Sequence, residues 1–214
     1  MAIQILGQDG SSVLAVDATF DAARVTLRPV EVLGWYSLAA KSGLATGIAA
    51  NGSIFSLRNI SSNLLMVRRV GVGFNTTTAF TAAQIVDVGL IVARAFTASD
   101  SGGTAITITG NNGKVRTSLA TPTSVDCRIS TTAALTAGTK TKDTNHLGLA
   151  AGWSGAAGQG IAPALNNLYS HDTGDYPLIL NQNEGINIDV ITAMGAAGVG
   201  NFYVNIEFAE VASY

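Results

Sequence analysis

The stretch that decides the fold is Phe202-Tyr203-Val204-Asn205-Ile206-Glu207-Phe208, near the end of a chain of 214 residues. Large apolar residues occupy every second position, and a tyrosine, an asparagine and a glutamate stand between them. This period of two matches a pleated strand, whose successive side chains point to opposite faces of a sheet. Burial of each large apolar side chain contributes about 1.5 to 3 kcal/mol relative to exposure. We therefore predict a strand of the core.

The preceding residues repeat this pattern. Residues 177–180, the polar stretch 181–185 and the alternating residues 186–190 predict a strand, a turn and a second strand. Residues 54–58 predict the first strong core strand of the chain. The β-rich runs 64–74 and 85–96 predict a hairpin, whose turn would be Asn75-Thr76-Thr77-Thr78.

Other segments give weaker signals. Residues 1–30 predict an extended N-terminal arm or edge strands, and 106–109 predict a strand between glycine-rich turns. The Gly- and Ala-rich residues 148–164 predict a loop or a weak strand, with a short helix as an option over 162–169. Short strands without interleaved helical patterns predict an all-β, antiparallel β-sandwich over 31–214, with a jelly roll among the topologies left open.

Charged residues make up only 12% of the chain, while hydrophobic residues make up 47%. Soluble domains usually carry about 25% charged residues. Because so few charges leave much apolar surface in contact with water, we expect other subunits to cover part of it. The net charge of -2 argues against a role in nucleic-acid binding, which depends on clustered Lys and Arg.

The chain has one cysteine, Cys127, so no disulfide can form within it. Cys127 is predicted to be a small, buried apolar residue of a strand. The start of the sequence lacks the pattern of a secretory signal, and no run of eighteen apolar residues occurs. We therefore expect synthesis in a reducing cytoplasm and no association with a membrane.

Two short motifs are similar to those of hydrolases but fail on context. Asp172-Thr173-Gly174 matches the catalytic triplet of aspartic proteases, yet it lies between His171 and Asp175, which favours a polar turn. The stretch Gly152-Trp153-Ser154-Gly155-Ala156 approaches a nucleophile elbow but ends in alanine. No acidic residue lies between Ser154 and His171, as the order of a hydrolase triad requires.

The remaining candidates for site chemistry are isolated. Gly110-Asn111-Asn112-Gly113-Lys114-Val115 departs from a phosphate-binding loop at both ends and favours a hairpin turn. His146 and His171 are far apart, and neither has a partner at the spacing of metal ligands. We therefore predict no catalytic residue, no cofactor and no metal site.

A small set of residues is a candidate for an interface with other subunits. Trp35 and Tyr36 form an aromatic pair that would suit an interface or the core equally well. Arg68 and Arg69 are predicted to point to opposite faces of one strand, so that one of them is free for an ion pair between subunits. The arm adds Ile3, Ile5, Leu6 and Arg28 as candidate interface residues, because an extended arm can add a strand to a neighbouring sheet.

The sequence resembles a widespread set of structural proteins from the virions of tailed bacteriophages. The resemblance covers nearly the whole chain and departs mainly over 152–169. It is carried by residues 3–5, 16–18, Ala22-Ala23-Arg24-Val25-Thr26-Leu27-Arg28-Pro29, 96–105, 109–112, Tyr176-Pro177-Leu178-Ile179-Leu180-Asn181-Gln182-Asn183-Glu184-Gly185 and 207–211. It implies a component of the virion, without catalytic residues and without a defined place in the particle.

Three functions compete on this basis. A capsid decoration, or cement, protein would bind the major capsid protein on the outside of the shell, with a homotrimer favoured. A tail, baseplate or receptor-binding module would present exposed aromatic residues such as Trp35 or Trp153. An enzyme such as a tail-borne depolymerase would need a retaining or inverting pair of carboxylates, for which Asp172, Asp175, Glu184 and Asp189 are the candidates. The first is our expectation, and no enzymatic activity is expected.

Overall fold

The computed structural model describes residues 16–17, 22–23, 32–108, 113–115, 125–154, 166–171 and 177–212. All regular secondary structure in this part of the chain is β-strand, which agrees with the all-β prediction. The strands are β1 (Val16–Asp17), β2 (Ala22–Ala23), β3 (Val32–Lys41), β4 (Ser53–Asn59), β5 (Leu64–Thr78), β6 (Gln84–Arg94), β7 (Thr104–Ala105), β8 (Val125–Ile129), β9 (Thr141–Lys142), β10 (Gly148–Ser154), β11 (Asn166–Ser170), β12 (Leu178–Leu180), β13 (Gly185–Val190) and β14 (Val199–Val211).

Most of these strands form two antiparallel sheets. The seven-stranded sheet has the order β10-β6-β13-β4-β8-β7, with β9 paired to β6, and the five-stranded sheet has the order β11-β5-β14-β3, with β12 paired to β5. Apolar side chains from both sheets form one shared core. The predicted antiparallel β-sandwich is therefore confirmed. The described residues contain no helix that could span a membrane.

Strand β14 lies at the centre of the five-stranded sheet, between β5 and β3. Its alternation is as predicted, because Phe202, Val204, Ile206 and Phe208 are each at most 1% exposed. Phe208 packs on the ring of Tyr36 with centroids 5.2 Å apart, and Phe202 packs on Phe74 at 4.7 Å. The residues between them face the outside of the sandwich, where they are partly exposed.

The predicted hairpin between 64–74 and 85–96 is wrong. Both segments are strands, but β5 belongs to the five-stranded sheet and β6 to the seven-stranded sheet. The predicted turn at 75–78 is the last part of β5, which pairs with β14 through Thr78. The chain crosses from one sheet to the other, because both runs carry one apolar face and those faces pack against each other across the core.

Two weaker predictions also change. Residues 166–169 are part of strand β11, so the optional helix over 162–169 is wrong there, while 155–165 lie outside the described residues. Of the Gly- and Ala-rich stretch, Gly148–Ser154 forms strand β10, which is the weak-strand alternative. Residues 106–108 of the predicted strand at 106–109 are not a strand and follow the two-residue β7, although the Ile106 N–H still bonds the carbonyl of Cys127. Residue 109 lies outside the described residues.

The strand, turn and strand predicted over 177–190 are present as β12 and β13, although the two strands lie in different sheets. Glu184 fixes the turn, since its carboxylate accepts hydrogen bonds from the Asn181 N–H at 2.8 Å and from Arg94 at 2.7 Å. Burial raises the pKa of Glu184, but the hydrogen bonds from Asn181 and Arg94 outweigh burial, so that the pKa is lower than usual.

This lowered pKa predicts a loss of stability in acid. Glu184 contributes its stabilisation above the pKa of the unfolded chain, near about 4.3, and loses it as the pH falls through the lower folded value. We expect Glu184→Gln to cost about 1 kcal/mol at neutral pH. The cost should shrink when urea unfolding is repeated at about pH 3. An equal cost at both pH values would contradict this role of the carboxylate.

Of the predicted N-terminal arm, only β1 and β2 are described, and they pair antiparallel with each other. The rest of residues 1–30, including Ile3, Ile5, Leu6 and Arg28, lies outside the described residues. The boundary between the arm and the sandwich therefore stays a prediction.

Candidate interaction surface and buried polar cluster

A group of large apolar side chains is exposed at one border of the seven-stranded sheet. We call Ile85, Leu147, Leu149 and Trp153 the β10 patch, with exposed fractions of 47%, 50%, 65% and 59%. Single exposed apolar residues are common on protein surfaces, whereas contiguous ones mark interaction sites. Trp153 and Ile85 are direct cross-strand partners. Leu149 lies four residues before Trp153 on the same face of β10, with Ala151 between them.

The alternation of β10 explains why these residues face outward. Residues 149, 151 and 153 are exposed, while 148, 150 and 152 are partly buried. Leu149 pairs with Gly89 of β6, and the imidazole of His146 fills the space that a side chain at position 89 would need. Among the described strands, β10 pairs with β6 alone, so the patch stands at the end of the sheet order.

The outer face of the five-stranded sheet carries both arginines of the Arg68-Arg69 pair. The pairing of β5 with β14 shifts between Glu207 and Phe208, so that Arg69 is opposite Glu207 while Val67 is opposite Phe208. Val67 and Val70 both face the core, and the two residues between them face outward. The prediction that the arginines point to opposite faces is therefore wrong, because a β-bulge inserts one extra residue.

The two arginines have different neighbours on this face. The guanidinium carbon of Arg68 lies 4.6 Å from the ring centroid of Trp35, and Arg69 donates a hydrogen bond to the Asn167 side chain at 3.2 Å. A shallow cavity of about 150 Å³ lies beside Arg69. Its walls are mostly small or polar, and it is lined by Ser37, Leu38, Ala39, Arg69, Gly71, Asn167, Asn205, Ile206 and Glu207.

The outer face of the seven-stranded sheet is covered by loops and contains buried polar groups. Strand β13 is buried at all six positions, so Asn187 and Asp189 are sequestered although they face away from the core. Lys140 contacts both carboxylate oxygens of Asp100 at 2.5 Å, and these two side chains are only 3% and 0% exposed. Lys142 contacts Asp189 at 2.6 Å. We call Asp100, Lys140 and Asn187 the buried triad.

Burial and hydrogen bonding both shift the pKa values of Asp100 and Lys140. Burial raises the pKa of Asp100, but the hydrogen bonds from the Gly138 N–H and from Lys140 outweigh it and lower the pKa overall. Burial also lowers the pKa of the Lys140 ammonium, and the bond to Asp100 offsets only part of this effect. In this ion pair the Lys140 ammonium therefore gives up its proton more readily than it would in water, while the Asp100 carboxylate stays ionised to a lower pH.

The two aromatic interface candidates, Trp35 and Tyr36, have different surroundings in the structure. Tyr36 is fully buried against Phe208, so core packing is the alternative that applies to it. Burial raises the pKa of its hydroxyl to about 12. Trp35 is partly exposed on the outer face, where Arg68 lies over its ring.

Other candidate residues also have defined surroundings. Ser154 is fully buried, and its hydroxyl lies 2.7 Å from that of Thr76, unlike an exposed nucleophile. Cys127 is buried in β8, as predicted, and burial raises the pKa of its thiol. His171 donates its backbone N–H to the carbonyl of Arg68. Asp172 and Asp175 lie outside the described residues.

The remaining carboxylate candidates, Glu184 and Asp189, are each engaged by cations. Glu184 bonds Arg94, whereas Asp189 is 2% exposed and bonds Ser53 and Lys142. Within the described ranges, no group of three or more His, Cys, Asp or Glu residues could hold a metal ion.

The sequence indicated Trp153 as a candidate exposed aromatic residue, but it did not indicate Ile85, Leu147 and Leu149 or the buried triad. Alternation over 149–153 was a signal for β10, but small Gly and Ala residues hid it. Asp100 and Lys140 gave no local signal, because they lie in loops separated by forty residues.

Comparison of the chain with protein-family models, with curated proteins and with solved structures found no match.

Proposed function

We propose that this chain is a non-enzymatic structural protein of a tailed-bacteriophage virion, namely a decoration protein on the outside of the capsid. In this role it stabilises the shell by bridging subunits of the major capsid protein. It acts as a homo-oligomer, with a trimer favoured, and it uses neither a cofactor nor nucleic acid nor a membrane. The resemblance of nearly the whole sequence to phage virion proteins supports the particle assignment.

The β10 patch is the observation that carries the proposal. Trp153, Leu149 and Ile85 present large apolar side chains on one face at the border of a sheet, and each is at least 47% exposed. Aromatic residues are enriched in protein interfaces and are common among the residues that dominate binding energy. Burial of this patch against a shell subunit removes apolar area from water and thereby opposes separation of the bridged subunits.

Two further features support an assembled protein. The charged fraction of 12% is about half of that in ordinary soluble domains. The first thirty residues, with Ile3, Ile5, Leu6 and Arg28, are the proposed clamp, which would add a strand to the sheet of a neighbour. Light scattering of the purified chain tests the trimer directly.

A tail, baseplate or receptor-binding module is the alternative, and two features favour it specifically. Trp153 is 59% exposed, as expected of an aromatic platform for a sugar, and the cavity beside Arg69 offers polar side chains. Copy number distinguishes the two functions. A stained gel of purified virions should show a decoration protein in hundreds of copies per particle, and a tail module in far fewer.

Substitution of the patch tests how the protein binds the shell. We expect Trp153→Ser to weaken binding to shells that lack the protein by at least about tenfold, because an interface anchor contributes about 2 kcal/mol or more. Its urea midpoint should stay close to that of the unmodified chain, since Trp153 is already exposed in the free subunit. Co-sedimentation with shells measures the affinity.

The matched control is Ile60→Ser. Ile60 is 41% exposed and follows the end of β4, which β6 and β13 separate from the strand that carries Trp153. It should leave shell binding unchanged. Equal affinity of the Trp153→Ser variant and the unmodified chain would exclude the patch as the binding surface. A low copy number in virions would favour the tail module instead.

A further inference from the structure

Three side chains of the buried triad have the chemistry of an amide-forming site. Lys140 supplies a primary amine, Asn187 supplies a carboxamide, and the Asp100 carboxylate lies between them. Asp100 Oδ2 accepts hydrogen bonds from Lys140 Nζ at 2.5 Å and from Asn187 Nδ2 at 3.1 Å. The amine and the carboxamide are therefore neighbours on one carboxylate oxygen.

The surroundings exclude water from these groups. The side chains of Lys140 and Asp100 are 3% and 0% exposed, and Asn187 is 0% exposed. The ring centroid of Phe96 lies 4.3 Å from Lys140 Nζ and adds an apolar wall. An amine in such a place exchanges its proton with a neighbouring carboxylate more readily than in water, because burial disfavours separated charges.

Among the described residues, one atom of the triad has no hydrogen-bonding partner. Asn187 Oδ1 is buried and accepts no hydrogen bond there, although Asn187 Nδ2 also lies near Ser53 Oγ at 3.2 Å. A buried acceptor without a donor costs about 1 to 3 kcal/mol and calls for an explanation. Rotation of the carboxamide about the Cβ–Cγ bond would exchange Oδ1 and Nδ2, and a protonated Asp100 carboxyl would then supply such a donor to the oxygen.

We propose that Lys140 and Asn187 become joined by an amide bond within the folded chain, and that Asp100 is the catalytic carboxyl. This inference is independent of the virion role.

The reaction balances without an oxidant or a co-reactant. Asp100 takes one proton from the Lys140 ammonium, and the neutral amine attacks Cγ of Asn187. With the carboxamide rotated so that its oxygen faces Asp100, the carboxyl group donates a hydrogen bond to Asn187 Oδ1, where negative charge develops. A second amine proton moves to Nδ2, the Cγ–Nδ2 bond breaks, and ammonia leaves. The product is a secondary amide between Nζ and Cγ, and Asp100 returns its proton to the departing ammonia.

The location gives the bond a structural consequence. Asn187 is in β13, which pairs with both β4 and β6 within the seven-stranded sheet, while Lys140 is in the loop before β9. The cross-link would fasten this covering loop to the sheet and would restrict the unfolded chain, as a disulfide does, but without sensitivity to reducing agents.

Intact mass spectrometry of the full-length, denatured protein tests the proposal. We expect a mass lower than that of the sequence by one ammonia molecule. Peptide mapping should then yield a branched peptide that contains both Lys140 and Asn187. Lys140→Arg keeps the positive charge but removes the attacking amine, and Asp100→Asn keeps the size but removes the proton carrier, so both variants should have the full sequence mass.

The control variant Lys142→Arg changes the neighbouring lysine of the same region and should retain the mass loss. Asn-Gly sequences such as Asn51-Gly52 can also lose ammonia by forming a succinimide. A mass loss that persists in Lys140→Arg, or that maps to Asn51, would overturn the proposal. A loss of water instead of ammonia would also overturn the proposal, because it would indicate a bond between Lys140 and Asp100. An unmodified Lys140 peptide from the folded, unmutated chain would overturn it as well.

Discussion

Asp100→Ala is expected to lower the free energy of unfolding by about 3 to 5 kcal/mol, because in this variant the buried Lys140 ammonium has no carboxylate to compensate its charge. Lys140 would remain 3% exposed without its carboxylate, and the Gly138 N–H would lose its acceptor. The urea dependence of unfolding measures the cost. Such an effect is large relative to the roughly 5 to 15 kcal/mol that typically stabilises a domain.

The double variant Asp100→Ala with Lys140→Met distinguishes the cost of the uncompensated Lys140 charge from the other costs of losing Asp100. Removal of both charges avoids the uncompensated ammonium, so this variant should be more stable than Asp100→Ala alone. Asp143→Ala is the surface control, because its pair with Arg94 has exposed fractions of 39% and 46% and should contribute at most about 1 kcal/mol. Equal costs at Asp100 and Asp143 would contradict the buried pair.

Phe208→Ala is expected to cost about 3 to 5 kcal/mol through the cavity that it leaves. Phe208 is fully buried, its ring packs on that of Tyr36, and it lies on the strand between β5 and β3. Neighbours on three strands would have to move in order to fill the space. Thermal unfolding should show a clear fall in the midpoint temperature.

Asn205→Ala provides the comparison on the same strand. Asn205 is on the outer face, beside the cavity at Arg69, and its replacement should change stability by no more than about 0.5 kcal/mol. A large cost at Asn205 and a small cost at Phe208 would mean that the assignment of the two faces of β14 is reversed.

The faces of the central strands were predictable from sequence because burial of large apolar side chains enforces a period of two. Val204, Ile206 and Phe208 show this relation most clearly, since the residues between them are polar and partly exposed. In β13 the alternation also held, but its polar face is not open to solvent. Loops from elsewhere in the chain cover Asn187 and Asp189, and local sequence carries no sign of them.

The choice of sheet was not predictable in the same way. The runs that became β5 and β6 have the composition of a hairpin, yet their pairing depends on strands far along the chain. Arg68 and Arg69 illustrate a second limit, because an unpaired residue in a bulge changes which face its neighbours occupy. The candidate sites were the least predictable from sequence, since the buried triad joins residues from two loops and a strand.

The central place of β14 has a consequence for biosynthesis. Strand β14 separates β5 from β3, so the edges of these earlier strands that face β14 stay unpaired until residues 199–211 are available. A nascent chain that has not yet emerged from the ribosome through Val211 therefore holds two unsatisfied strand edges. The sandwich closes only after translation of this last strand, which makes late truncations especially prone to aggregate.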